Sequence, residues 1–177
     1  MGYEGSFSGL DPAELLSFVR SQARAVLGAD GNAWIRLVDV AAAGMRRSRR
    51  AEDRASYAEA AIGALDGMRS SSGVPGERWA VLAVKVRVDW TLLSGHADVE
   101  KNFDASAAYE IMLGQLNAVG LNISLARQGS LRSDGDLVQV RQIKRMATQL
   151  ARVEEHLTAE QRETVRAWAD VDLGTQG

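Results

Sequence analysis

Apolar residues recur along most of this chain at spacings of three and four, the period of a helix buried on one face. Leu15, Val19, Ala23 and Val26 make one such stripe, and Trp34, Leu37, Val38, Ala41 and Met45 make the next. Ala58, Ala61, Ile62, Leu65 and Met68 make the third; after a fourth segment, Glu77–Leu93, the fifth is Ala108, Ile111, Met112, Leu116 and Val119. The sixth stripe is Val140, Ile143, Ala147, Leu150 and Leu157, flanked by Met146 and Val153. Clusters rich in Gly, Ser and other polar residues at Met1–Gly9, Gly28–Asn32, Arg69–Gly76, Ser94–Asp104 and Gly120–Asp136 read as loops and cut the chain into about seven helix-sized pieces.

The helix starts carry their own chemistry. Asp11 is placed to cap a first helix, Pro12 suits its first position, and Glu14 completes a capping box. That helix is expected to run to Gly28. Thr158 and Gln161 repeat the box for a short last helix through Trp168, and Ser133 with Asp136 suggests a start for the helix expected over 136–157.

The segment Glu77–Leu93 carries two conflicting patterns. Val84 to Trp90 alternates as a half-buried strand does, whereas the longer window sets Trp79, Leu82, Ala83, Val86, Trp90 and Leu93 on one helical face. Val81, Val84, Val88 and Leu92 then occupy the opposite face, and Lys85 and Asp89 are spaced to pair on the edge between. A helix apolar on two faces is packed on both sides. The expected fold is therefore all-α: a single-domain bundle of six or seven helices over residues 11–172, with the Glu77–Leu93 helix central. Residues 1–10 are expected to be a flexible lead-in and 173–177 a tail.

Composition narrows the chemistry. The chain has 177 residues, 21 basic and 23 acidic side chains, a formal net charge of -2 and no cysteine. Disulfides, thiolate metal sites and a cysteine nucleophile are thereby excluded. No apolar run approaches the roughly 18 residues that cross a bilayer, and the start lacks the basic and apolar regions of a secretory signal. A cytoplasmic setting without membrane contact is expected.

The two histidines, His96 and His156, lie far apart, and the sequence contains no phosphate loop, dinucleotide fingerprint, nucleophile elbow or paired metal-binding histidines. Asp98, Glu100, Asn102 and Asp104 alternate like the first half of a calcium loop. Phe103 stands where that loop needs Gly, however, and Tyr109 where it needs a bidentate Glu. No catalytic residue, metal or cofactor is expected.

The basic residues are the best-patterned polar feature, with 18 Arg against 3 Lys. Arg46, Arg47, Arg49, Arg50 and Arg54 form one cluster, at the end of the second stripe and just beyond. Arg141, Lys144, Arg145 and Arg152 fall on one face of the sixth helix, opposite its apolar stripe, with Arg127 and Arg132 in the loop before it. Such residues either bind phosphates or form a solvated face balanced by Glu52, Asp53, Glu154 and Glu155. No aromatic residue is interleaved with the sixth-helix stripe, which weakens base stacking as a binding mode.

The start Gly9-Leu10-Asp11-Pro12 with Leu15 resembles the first-helix start of the small helical-hairpin substrates of mycobacterial-type specialised secretion. The Trp-x-Gly turn of that family is missing, since Trp34 is followed by Ile35-Arg36 and Trp79 by Ala80-Val81. The match is fully explained by helix capping and carries no function across. The sequence therefore favours a non-enzymatic interaction, adaptor or regulatory protein that contacts a protein partner or itself. Two alternatives stand beside it. One is a nucleic-acid-associated protein using an Arg-rich face, and the other is a ligand carrier or enzyme with a pocket between helices.

Overall fold

In the computed structural model, which describes residues 7–71, 76–94, 98–120 and 134–171, the chain is all-α, with no strand among the described residues. The helices are α1 (Pro12–Ser21), α2 (Ala23–Leu27), α3 (Gly31–Arg47), α4 (Ala51–Arg69), α5 (Gly76–Ser94), α6 (Asp98–Val119), α7 (Asp134–Ala151) and α8 (Ala159–Ala169). A 3-10 turn at Glu154–His156 separates the last two. The chain divides into two compact units: Met1–Trp79 with Leu92–Gly95, and Ala80–Thr91 with His96–Gly177. No described helix is long and apolar enough to cross a membrane.

In the first unit, both halves of the expected capping box form. Glu14 N–H donates to Asp11 Oδ1 at 2.8 Å, and Asp11 N–H donates to Glu14 Oε1 at 3.5 Å. The first helix does not run unbroken to Gly28. Gln22 departs from helical geometry at φ -127°, and the chain restarts as α2. The break rotates the following residues, so Leu27 is buried while Val26, expected in the core, is 43% exposed. Helices α3 and α4 form an αα-hairpin around Ser48–Arg50, and the expected stripe Trp34, Leu37, Val38, Ala41 and Met45 is buried throughout. Two glycines set the approach of this pair. The Tyr57 ring lies against Gly44 and the Trp34 ring against Gly67. Trp34 is further pinned by its indole N–H, which donates to the Gly28 carbonyl at 2.9 Å. Ala58, Ala60, Ala61, Ala64, Leu65 and Met68 fill the face of α4 that receives these neighbours. Trp79 donates to the Leu65 carbonyl at 2.8 Å, with the Arg69 guanidinium 4.6 Å above its ring.

The second unit is built on the middle of α5. That segment is a helix, not a strand, and it is buried on both faces: Ala80, Ala83, Val84, Val86, Val88 and Thr91 are all inaccessible, whereas Lys85 is exposed. A period-two pattern arises there because alternate residues of a doubly packed helix also face apolar neighbours. Residues 98–104, expected in a loop, belong instead to α6. A helical backbone over these residues is not the looped backbone that wraps a calcium ion. Asp104 is buried and accepts from Arg87 Nη1 at 3.1 Å.

The core of α7 is the expected one: Val140, Ile143, Met146, Ala147, Leu150, Val153 and Leu157 are all buried. The helix, however, stops at Ala151 and not at Leu157. Val153 leaves helical geometry, and the second capping box restarts the chain, with Gln161 N–H donating to Thr158 Oγ1 at 3.2 Å and Thr158 N–H to Gln161 Oε1 at 3.0 Å. Arg166 then clamps Glu154 through two bonds of 3.2 Å. The expected cap at Ser133 and the arginines Arg127 and Arg132 lie outside the described residues.

Candidate functional site: a basic groove

Helices α5 and α7 line an open groove of about 620 Å³ in the second unit. Val81 and Lys85 come from α5, one turn apart on one face. Arg141, Lys144, Arg145, Thr148 and Gln149 come from α7 at the spacings that put them on one side of a helix. Four of these seven residues are cations, and no carboxylate is among the described residues that line the groove. Between the charged heads, the walls are the carbon stems of the same side chains and the Val81 methyls.

Most of the polar groups are disposed as donors. Lys144 Nζ donates to the Val171 carbonyl at 2.5 Å, which fixes the ammonium and leaves it further hydrogens. Thr148 spends its hydroxyl hydrogen on the Lys144 carbonyl at 2.8 Å. Gln149 accepts from Arg152 Nη1 through Oε1 at 2.7 Å, so its amide N–H₂ remains to donate. Lys85 and Arg145 are exposed and enter no ion pair among the described residues. A surface of this kind is complementary to an acceptor-rich anion.

The expected stripe on α7 is therefore only partly a binding face. Arg141, Lys144 and Arg145 come together in the groove. Arg152 does not continue them, because it lies past the end of the helix and turns to Asp89 Oδ1 at 3.4 Å. Asp89 is 7% exposed, and a carboxylate buried to that degree is strongly unfavourable without a counter-charge. Its place in the core explains why Arg152, itself exposed, turns toward it. Lys85 was missed as a site residue because the sequence read it as an edge residue beside Asp89. Its only signal was a cation between the two apolar faces of the helix.

The second cluster is placed differently. Arg46, Arg47, Arg49 and Arg50 surround the α3–α4 turn in the first unit, all exposed. Arg47 Nε folds back to the Ala43 carbonyl at 3.3 Å, as a cation near a helix C-terminus does. Arg50 reaches Glu52 at 3.4 Å, and Glu52 and Asp53 occupy the first turn of α4, where the helix dipole favours acids. Arg54 is half-buried on the same turn. Structural reasons thus cover much of this cluster. No group of three or more His, Cys, Asp or Glu poised for a metal occurs among the described residues.

No protein-family model matches the chain, and neither does any curated protein or solved structure.

Proposed function

We propose that this chain is an interaction protein that works by binding rather than catalysis, and that its binding surface is the basic groove of α5 and α7. The observation that carries this reading is the cationic lining: Lys85 and Arg145, exposed and in no ion pair among the described residues, beside Lys144, with no carboxylate among the described residues that line the groove. Like charges on one surface repel each other and are relieved by an anionic partner. No histidine or carboxylate is among the described residues that line the groove, which supports binding over acid–base chemistry. The proposal keeps the cytoplasmic setting expected from the sequence.

Titration calorimetry against citrate, pyrophosphate and a poly-aspartate peptide in 0.15 M salt tests it. At least one anion is expected to bind the wild type, and none the double variant Lys85→Glu/Arg145→Glu. Because both side chains are exposed, that variant keeps its helical signal. Silence across the panel, or binding that survives the double change, contradicts the reading.

A further inference from the structure

We infer that the groove docks an acidic amphipathic helix of a partner protein; this inference rests on the anion-binding reading above and names the partner. Two observations carry it: the free cations of the groove, and an apolar side chain left open on the same helix face. Lys85 and Arg145 are exposed and enter no ion pair among the described residues. Lys144 and Arg141 are already engaged and are not counted. Val138 is 48% exposed, and among the described residues of the second unit it is the one large apolar side chain in that state.

The geometry joins these residues. Val138, Arg145 and Gln149 stand seven and four residues apart on α7, so they lie within about 40° of one another on one side of the helix. The two walls run in the same direction. Asp89, late in α5, meets Arg152, just past the end of α7, whereas Val81, two turns before Asp89, lines the groove with Arg141. Val81 and Val138 therefore lie toward one end of the surface and Lys85 and Gln149 toward the other, with Arg145 between. At the far end the Gln149 amide donates, because its Oε1 accepts from Arg152 at 2.7 Å.

From Val138 to Gln149 the surface spans about 16 Å, or three helical turns. A helix laid along a groove offers side chains at intervals of three and four residues, the intervals at which this surface repeats. Apolar residues at one end of such a face meet Val138 and Val81. Glu or Asp residues one to two turns on meet Arg145, Lys85 and the Gln149 amide. A small anion or a nucleic-acid backbone answers the cations but leaves Val138 in water, whereas a ligand that carries acids and apolar groups together answers both.

Fluorescence anisotropy on the full chain in 0.15 M salt compares three labelled probes. They are an acidic helical peptide of about 14 residues with Leu and Glu along one face, a scrambled peptide of the same composition, and a single-stranded oligonucleotide. The amphipathic peptide is expected to bind with a Kd of about 100 μM or tighter, at least about tenfold tighter than its scrambled form. Lys85→Glu/Arg145→Glu should abolish binding of both peptides. Val138→Asn should weaken the amphipathic peptide about tenfold while the scrambled peptide and the circular dichroism stay as in wild type. Equal affinity for the two peptides, or no effect of Val138→Asn, overturns the helix partner and leaves the anion groove standing. Silence of both peptides while citrate or pyrophosphate still binds has the same meaning. An oligonucleotide that binds tighter than the amphipathic peptide, and is lost in the double variant, gives the groove to nucleic acid and overturns the inference. A dimer of the chain alone in sedimentation, dissolved by Val138→Asn, gives it to a second copy and overturns it too. Failure of every anion removes the proposed function itself.

Discussion

Gly67→Ala isolates the contact that closes the α3–α4 hairpin. A methyl built at Gly67 falls inside contact distance of Trp34 Cη2 and Cζ3 and only 2.7 Å from Cε3. The indole has little freedom to yield, because it is 2% exposed and held by its bond to the Gly28 carbonyl. Overpacking of this kind costs about 1–3 kcal/mol, and displacing the ring forfeits a hydrogen bond worth about 1 kcal/mol. Against this, Ala in a helix interior is favoured over Gly by about 1 kcal/mol. The expected net loss is about 1–3 kcal/mol. Gly114→Ala is the internal control, since it lies within α6 with nothing inside 4 Å of the new methyl. It should gain about 0.5–1 kcal/mol by propensity alone. Urea unfolding followed by circular dichroism and tryptophan fluorescence measures both variants. Equal stability changes in the two would refute the claim that Trp34 seats on Gly67.

Val88→Asp places a carboxylate at a side chain with no solvent exposure, and a loss of about 3–5 kcal/mol is expected in thermal or urea unfolding. A melt within a degree or two of wild type would show that this face of α5 is open. Glu154 is held below the usual carboxylate range, first by the hydrogen bonds from Arg166 and then by its charge. A lowered folded-state pKa means that its contribution to stability is present above the unfolded value and lost as pH falls through the folded one. The Glu154 carboxyl signal in an NMR titration should therefore move at lower pH than in Arg166→Gln, and identical midpoints would count against the clamp. Asp11 is likewise lowered, chiefly because the Glu14 backbone N–H donates to it; Asp11→Ala should remove the box and lower the urea midpoint.

What the sequence made legible was mostly local. The Asp11/Glu14 and Thr158/Gln161 boxes need only three residues of separation and a helix to follow, so their pattern is nearly sufficient. The stripes of α3 and α7 were readable because each helix buries a single coherent face. Breaks without Gly or Pro were not readable. Nothing in Ser21-Gln22-Ala23 or in Arg152-Val153 signals a turn, and both are set by what the flanking apolar residues must reach. The polar run 98–104 reads as a loop until Asp104 is seen to be buried against Arg87. The site was half legible for the same reason. Arg141, Lys144 and Arg145 share one helix and one period. Lys85 joins them only through the fold, and Arg152 leaves them only because Asp89 is buried nearby.

The central claim is that anions bind at the α5–α7 groove and not at the arginines of the α3–α4 turn. Side-chain NMR during a pyrophosphate titration tests it most directly, reading Arg Nε–H and Lys Cε signals together. Saturable shifts are predicted for Lys85, Lys144 and Arg145, with Arg47, Arg49 and Arg50 unmoved. Shifts confined to Arg47, Arg49 and Arg50, or none at any of the six, would contradict it.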